Sequence, residues 1–388
     1  MWYFNSPLIV FGEQALSHLS TLNGKRVCII SDANLSRLGY VDRVKSEFLP
    51  KTEVRVFDQV ETDPSFETAR VGANFLQEFN PDWIIALGGG SVIDAAKAMW
   101  ILYENPDLEP AAINPLEEIK LRRKARFVAI PTTTGTGSEV TWAIVLTDPI
   151  ERRKLALGNR EAIADYAILD PSLIMDMPAR LMADTGLDAL THGIEGFTTT
   201  WHNDFCDAMC LKAIDLIFKY LVRAVRDSKD EEARYHLQNA ASIAGLGFGN
   251  AMAGLAHGLG HSLGAIYHVP HGRAVALFLP YTIEFSVNGN SGNTRYLELI
   301  NHLGLSGKDE KQAATVLVEA IRSLQQEVWQ PQTLKECGID RKDLETELDK
   351  IVQNTLNDSQ TIMGTRIPDE YEVKRLLLAA YDGELVDF

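Results

Sequence analysis

Short runs of β-branched and apolar residues alternate with helical stretches between about residue 24 and residue 171. This alternation is typical of a parallel sheet covered by helices. Ligands of such sheets bind beyond the carboxyl ends of the strands. The predicted strands are 26–31, 53–57, 83–87 and 126–130, and the predicted helices are 35–48, 66–79 and 92–103.

The β-branched runs cease after about residue 178, and apolar residues then recur at helical spacing to the end of the chain. A single core rarely extends beyond about 250–300 residues, so the length of 388 residues predicts two domains. We expect an α/β domain with a parallel Rossmann-like sheet over 1–180 and an all-helical domain over 181–388. The clearest predicted helices of the second domain are 207–225, 233–244, 312–327 and 371–380.

The stretch 235–272 contains no Asp, Glu, Lys or Arg, but it holds eight of the 28 glycines and five of the nine histidines. Its length and apolar character resemble a membrane helix, yet the glycines and imidazoles would make insertion costly. We therefore predict a buried helix of a soluble protein, which Pro270 ends or kinks.

Composition argues against several classes of protein. The net charge of −16 disfavours nucleic acid or an anionic membrane surface as a partner. Cys28, Cys206, Cys210 and Cys337 form no CxxC pair, which gives no sign of a disulfide framework or a thiolate zinc site. No basic region precedes the short apolar run 8–11, so we predict no signal peptide and a cytoplasmic protein.

Four histidines, His257, His261, His268 and His271, lie within 15 residues in an apolar region. One buried imidazole most simply hydrogen-bonds a backbone carbonyl, but a metal ion satisfies several ring nitrogens at once. His257 and His261 are four residues apart and share a helix face. Gly258 stands where a zinc protease has its Glu general base, so peptide hydrolysis is not expected.

A second group of candidate ligands is Asp188 with His192, which would project from one face of a helix because they are four residues apart. Alone, such a pair is often a surface hydrogen bond. Beside the histidine cluster, it adds a carboxylate and a further imidazole. Oxygen and nitrogen ligands without a thiolate suit Fe(II) or Zn(II).

Two predicted strands end in glycines and hydroxyl side chains that suit a dinucleotide. The strand 83–87 runs into the glycine turn 88–91 and then into a helix, whose free N–H groups and partial positive charge favour a phosphate. The strand 126–130 ends in the threonine-rich loop 131–139, which can hold the rest of a pyrophosphate or a ribose. The GxGxxG fingerprint is absent, and a glycine turn is also common for steric reasons alone.

Asp32 closes the first predicted strand, where its carboxylate can accept hydrogen bonds from an adenosine ribose and repel a 2′-phosphate. The alternative is that Asp32 caps the following helix. One residue can serve both roles.

These motifs, taken in order, resemble the iron-containing (group III) alcohol dehydrogenase family. The resemblance implies the architecture that this family shares with dehydroquinate synthase, and it implies a homodimer or larger homo-oligomer. The matching segments are 4–7, 88–91 with Asp94 and Lys97, 131–141, 188–192, and His257, His261 and His271 with Gly272.

By this resemblance, the metal ligands are Asp188, His192, His257 and His271, and His261 is an additional active-site histidine. The cofactor is NAD, with NADP possible, because an Asp after the first strand is associated in the family with NAD. The residues implied to bind the dinucleotide are Asp32, Gly88, Gly89, Gly90, Ser91, Asp94, Thr132, Thr133, Thr136, Ser138 and Lys154.

Some positions depart from the family pattern. Asp63 stands where many members have Asn, which affects a contact on the adenosine side. Ala143 replaces a polar side chain of relatives that reduce small hydroxy-aldehydes, so lactaldehyde is less expected as a substrate. Trp142, Phe248 and His268 are predicted to line the substrate pocket, and the first two make it apolar.

The predicted reaction is hydride transfer between a primary alcohol, or its aldehyde, and NAD(H), with a metal that polarises the oxygen. His261 is predicted to carry the alcohol proton toward solvent, and the alternative is a hydrogen bond that only orients the metal site. A glycerol- or sugar-phosphate-type dehydrogenase of the same superfamily would need Lys and Arg at its substrate, which the uncharged stretch 235–272 disfavours. A non-catalytic metal- or nucleotide-binding protein is the remaining alternative.

Overall fold

The structure, a computed structural model, describes residues 3–289 and 294–388. The chain divides into two compact units, Met1–Asp176 and Met177–Phe388, whereas the sequence places the boundary between residues 180 and 181. Strands and helices alternate in the first unit, and the described residues of the second unit are helical. The predicted fold class, an α/β unit with a parallel sheet followed by a helical unit, is confirmed.

The strands of the first unit form one sheet and one hairpin. The sequence pattern predicts the second to fifth strands and misses the others, two of which are only four residues long and too short to show a pattern. The strands are β1 (Leu8–Phe11), β2 (Arg26–Ile30), β3 (Glu53–Phe57), β4 (Trp83–Gly88), β5 (Arg126–Pro131), β6 (Ala143–Asp148), β7 (Arg153–Gly158) and β8 (Tyr166–Leu169). The sheet is parallel in the order β1-β8-β5-β4-β2-β3, and β6 and β7 form the antiparallel hairpin.

Strand β4 lies at the centre of the core of this unit. Ile84 packs into one apolar cluster and Ile85 into another, because successive side chains of a strand point to opposite faces. Strand β5 is its direct neighbour, with Gly88 opposite Pro131. The glycine turn and the threonine-rich loop therefore leave the sheet side by side.

Four α-helices lie in the described part of the first unit, residues 3–176. The helix predicted over 35–48 is two helices, because Gly39 between them has a φ of 82°, in the left-handed region that favours glycine. The α-helices are α1 (Ala33–Arg37), α2 (Tyr40–Ser46), α3 (Phe66–Phe79) and α4 (Gly90–Glu104). Short 3-10 helices lie at Ala15–Thr21, Pro110–Ala112, Ser138–Val140, Arg160–Ala162 and Pro171–Leu173.

The second unit is built from α-helices, and each of the four that the sequence predicts lies within an observed helix. They are α5 (Ala179–Thr198), α6 (Asp204–Arg226), α7 (Glu231–Ala251), α8 (Leu255–Tyr267), α9 (His271–Asn288), α10 (Tyr296–His302), α11 (Glu310–Glu327), α12 (Arg341–Leu356) and α13 (Glu370–Asp382), with a 3-10 helix at Thr361–Met363.

The uncharged stretch 235–272 is not the single helix predicted from its composition, but parts of three helices. Helix α7 ends at Ala251, and the backbone turns at Met252, with a φ of 74°, before α8 begins. The second break is the predicted one, because Pro270 precedes the first residue of α9. No helix of the described residues is long and apolar enough to cross a membrane.

Candidate metal centre and dinucleotide site

The residues predicted as metal ligands come from three helices of the second unit. Helix α5 carries Asp188 and His192 on one face. Helix α8 carries His257 in its first turn, and His271 is the first residue of α9. These side chains can meet because α9 packs against both α5 and α8.

The four side chains converge on one point. One ligand atom from each, a carboxylate oxygen or an imidazole nitrogen, lies within 4.8 Å of all the others. Asp188 Oδ1 lies 3.5 Å from His271 Nε2 and 3.8 Å from His257 Nε2. The same oxygen lies 3.9 Å from Nδ1 of His192. Donor atoms held about 2.0–2.2 Å from one tetrahedral ion lie roughly 3.3–3.6 Å from one another, so small shifts would let them share an ion.

Two observations show that a cation suits this cluster. His257 Nε2 is buried and has no hydrogen-bond partner among the described residues, which is costly unless an ion binds that nitrogen. Burial lowers the pKa of His257, but the carboxylates of Glu195 and Asp188 outweigh this effect and the pKa is raised above its ordinary value. The same negative charges favour a metal ion.

Glu195 orients His257, and it is absent from the residues that the sequence singled out. Its Oε2 accepts hydrogen bonds from His257 Nδ1 and, at 2.9 Å, from Gly254 N. Its Oε1 accepts one from Ala256 N at 2.7 Å. Glu195 therefore holds both the first turn of α8 and the imidazole. It follows Asp188 on α5 at a spacing of two helical turns, so the periodicity that pairs the two ligands of α5 also points to Glu195.

His261 lies one turn beyond His257 on α8, but it does not belong to the four converging side chains. Its Nδ1 lies 2.8 Å from Asp358 Oδ2, and its ring stacks on that of His271 at a centroid distance of 5.2 Å. Burial raises the pKa of Asp358, but the His261 ring outweighs this effect and the pKa is lowered. Asp358 is 97 residues from His261 in the sequence, and no local pattern predicts this pair.

The three residues predicted to line the substrate pocket lie in different places. Phe248 of α7 stacks on the imidazole of His192, with the ring centroids 3.9 Å apart, and so places an apolar wall beside the ligand cluster. His268 is exposed at the end of α8, where its φ is 55°. Trp142 belongs to the first unit, and its ring covers Gly158 closely enough that a Cβ atom there would lie 2.6 Å away.

The glycine turn and the threonine-rich loop of the first unit pack directly against each other. A Cβ atom on Gly89 would lie 3.1 Å from the side chain of Thr133. A Cβ atom on Gly90 would lie only 2.7 Å from the side chain of Thr136. The loops can approach this closely because these positions have no side chain.

The amino end of α4 has two features that favour an anion. Gly89 is the N-cap residue, and no side chain of the described residues caps the helix there. Ser91 is the second residue of the helix, and its first turn has no acidic side chain. Thr132 N donates a hydrogen bond of 3.0 Å to Gly88 O, which extends the strand pairing up to the turn. Free N–H groups and the helix dipole therefore favour an anion at this turn.

Asp94 and Ser138, both predicted to bind the dinucleotide, take part in a buried network that holds the threonine-rich loop. Asp94 accepts hydrogen bonds from Ser138 Oγ and from Val145 N. Lys97 is fully buried and donates to the carbonyl oxygens of Ser138 and Thr141. Burial lowers the pKa of Lys97 to about 8, and nearby carboxylates oppose that shift. These contacts fix the position of the loop relative to α4.

Asp32 caps the first helix of the chain. Its Oδ1 accepts hydrogen bonds from Asn34 N at 2.8 Å and from Leu35 N at 3.0 Å. The cap, one of the two roles considered for Asp32, is therefore present. The contact with a ribose stays a prediction.

Lys154 has a carboxylate partner. Its Nζ lies 2.5 Å from Asp63 Oδ1. The backbone N of Asp63 donates a long hydrogen bond, 3.4 Å, to Ser91 Oγ. The ion pair therefore lies at the first turn of α4.

Known proteins resemble the chain over nearly its whole length. The family model described as "Iron-containing alcohol dehydrogenase" matches residues 6–171. The model described as "Fe-containing alcohol dehydrogenase family, C-terminal" matches residues 182–381. Both units are thus covered.

Individual relatives agree with these family matches. The NADPH-dependent butanol dehydrogenase of Clostridium saccharobutylicum is 38% identical over 384 residues, which cover 98% of each chain. The bifunctional aldehyde-alcohol dehydrogenase of Escherichia coli is 36% identical over 95% of this chain, but only 44% of that protein is matched. The solved iron-containing alcohol dehydrogenase of Thermococcus thioreducens superposes with a TM-score of 0.88 at 33% identity, covering 99% of this chain and all of the other. The chain therefore belongs to the iron-containing alcohol dehydrogenase family and is an alcohol and aldehyde oxidoreductase that uses a metal and NAD(P).

Proposed function

We propose that the enzyme transfers a hydride between a primary alcohol, or its aldehyde, and NAD(H). The observation that carries this proposal is the convergence of one carboxylate and three imidazoles in the second unit. A bound divalent ion would polarise the alcohol or carbonyl oxygen, and the nicotinamide would accept or return the hydride. The proposed ligands of the ion, Fe(II) or Zn(II), are Asp188, His192, His257 and His271.

Neighbouring side chains prepare the imidazoles for this role. Glu195 accepts a hydrogen bond from Nδ1–H of His257, so the lone pair at Nε2 is directed toward Asp188. The charge of Glu195 also makes that imidazole a stronger electron donor. Phe248 covers one face of the His192 ring and limits the access of water to it.

We propose that His261 takes the alcohol proton. Asp358 accepts the hydrogen bond from His261 Nδ1, so the lone pair available to the substrate is at Nε2. The carboxylate of Asp358 stabilises the positive ring that results from proton transfer. His261 lies beside His271 and outside the group of four, which leaves it free to act on the substrate.

An unphosphorylated alcohol with an apolar chain suits the surroundings of the cluster better than a polyol phosphate does. The stretch 235–272 carries no charged side chain, and Phe248 adds an apolar wall. Arg273, the first cation after this stretch, forms two hydrogen bonds of 2.8 and 3.0 Å with Asp184. Its guanidinium is therefore committed to a carboxylate rather than to a substrate phosphate.

We propose that NAD is preferred over NADP. Asp32 lies at the carboxyl end of β2, where its charge would repel a 2′-phosphate. Both cap hydrogen bonds go to Oδ1, so Oδ2 can accept one from a ribose hydroxyl. The similar butanol dehydrogenase is NADPH-dependent, so the preference needs its own test.

We also propose that the enzyme is a homodimer or a larger homo-oligomer. Strand β1 lies at an edge of the sheet, where its outer backbone groups have no partner strand among the described residues. Leu8 and Phe11 of this strand are 61% and 63% exposed. A second copy that covers this edge would remove a surface prone to unspecific pairing.

The activity is tested with protein purified without oxygen and supplied with Fe(II) or Zn(II). We expect metal-dependent reduction of NAD in the presence of a graded series of primary alcohols, followed at 340 nm as the absorbance of NADH. Glycerol 3-phosphate is the comparison substrate for the polyol-phosphate alternative. Activity confined to that compound, or none with any alcohol, would contradict the proposal.

Replacing one ligand is expected to remove metal and activity together. His271 is suited to this test because 27% of its side chain is exposed, so His271→Ala leaves little buried cavity. We expect the metal content to fall by about tenfold or more, as measured by elemental analysis after dialysis. His302→Ala, at an exposed histidine of the same unit, should keep its metal. Full occupancy in His271→Ala would exclude that residue as a ligand.

The charge of Asp32 is tested apart from its cap by Asp32→Asn, which keeps an oxygen that can cap α1. Two unit charges about 4 Å apart repel by roughly 4 kcal/mol at an effective dielectric constant of about 20, so even a screened fraction is measurable. We expect the ratio of kcat/KM for NAD to that for NADP to fall by about tenfold or more. An unchanged ratio would mean that Asp32 caps α1 but does not discriminate between NAD and NADP.

For His261, we expect His261→Gln to keep its metal and its dinucleotide affinity but to lose alcohol oxidation. The loss should lie within about ten- to ten-thousand-fold, the range of general acid–base groups and of residues that orient a metal site. His302→Gln serves as the matched control. Loss of metal in His261→Gln would make His261 a ligand, and an unchanged rate would remove it from the mechanism.

A further inference from the structure

An ion pair lies where the dinucleotide is proposed to bind. The amino group of Lys154 is 2.5 Å from Asp63 Oδ1, and the lysine side chain is only 3% exposed. The aspartate side chain is 33% exposed, so its carboxylate also reaches the surface. The pair thus joins a buried cation to an accessible anion.

The backbone holds this pair in place. Asp63 lies in the turn before α3, and Thr147 N of the β6–β7 hairpin donates a hydrogen bond of 2.8 Å to Pro64 O. Thr147 is the residue that pairs with Lys154 across the hairpin. The backbone N of Asp63 also reaches Ser91 Oγ in the first turn of α4. The turn, the hairpin and α4 therefore meet at the ion pair.

From this arrangement, we propose that Asp63 weakens the binding of the dinucleotide by offsetting the charge of Lys154. The inference rests on the proposed binding of NAD(P) at the first turn of α4. That turn carries no acidic residue of its own, and the backbone N of Asp63 contacts Ser91 Oγ, so Asp63 brings a carboxylate near the turn from another loop. The diphosphate of a dinucleotide is repelled by that charge. Looser binding favours release of the product dinucleotide, a step that often limits turnover.

A purely structural role for Asp63 predicts the opposite result. If the carboxylate served only to hold Lys154 in position for the dinucleotide, its loss would weaken binding. The sign of the change in affinity therefore separates the two roles. Asp63→Asn is suited to the test because Asn tolerates the φ of 55° at this position, and because the substitution removes only the charge.

The experiment measures the Kd of NADH for the full-length enzyme by calorimetric titration. We expect Asp63→Asn to bind NADH about five- to tenfold more tightly at low salt, since one repulsive charge is removed. The gain should shrink at high salt because ions already screen the repulsion between Asp63 and the diphosphate in the wild-type enzyme. Unchanged or weaker binding by Asp63→Asn would overturn the proposal.

Two further variants test whether the gain comes from the charges of this ion pair. Glu67→Gln removes the same charge from an exposed position in the first turn of α3, and its Kd should stay within about twofold of the wild-type value. Lys154→Met should bind NADH more weakly because an attractive charge is lost. Adding Asp63→Asn to it should recover affinity, since the carboxylate of Asp63 repels the diphosphate whether or not Lys154 is present. No recovery in the double variant would contradict the charge mechanism.

The failure of this inference can be told from that of the proposed function. A wild-type enzyme that binds neither NADH nor NADPH would refute dinucleotide binding at this turn and the inference with it. A wild-type enzyme that binds NADH, combined with an Asp63→Asn variant of equal affinity, would refute only the inference.

Discussion

The second unit depends on the burial of one carboxylate, that of Asp188, among three imidazoles. Asp188 is 1% exposed, and burying a charge away from water costs several kcal/mol unless an opposite charge compensates. The residues that converge on it come from α5, α8 and α9, so the packing of these helices depends on how the charge of the cluster is compensated. A bound cation would compensate the charge of Asp188, and metal binding should therefore also stabilise the fold of this unit.

Glu195 explains why the uncharged stretch 235–272 breaks where it does. Between the end of α7 and the first turn of α8, Glu195 accepts hydrogen bonds from Gly254 N and Ala256 N. A Cβ atom on Gly254 would lie 2.8 Å from the same carboxylate, so only glycine lets the backbone approach. Three residues after Gly254, His257 donates its orienting hydrogen bond to this carboxylate. The glycine-rich, uncharged composition of this stretch is unfavourable to one long helix but is thus suited to a metal site.

The sequence predicts the parts of the site that local periodicity controls. Asp188 and His192 follow from a spacing of one helical turn, and β4 with its glycine turn follows from an apolar run before glycines. Contacts between distant segments leave no such pattern. Asp358 pairs with His261 across 97 residues, and Lys154 pairs with Asp63 across 91. The role of Asp94 in holding the threonine-rich loop likewise leaves no sequence pattern, because it depends on the packing of β6 against α4.

The position of the ion is the most direct test of the metal centre. In crystals of the enzyme loaded with iron or zinc, anomalous scattering at the absorption edge of the metal locates it independently of any assumed ligand. We predict one peak at about 2.0–2.2 Å from a ligand atom of each of Asp188, His192, His257 and His271. A peak at another place, or one bound by fewer than three of these residues, would contradict this account.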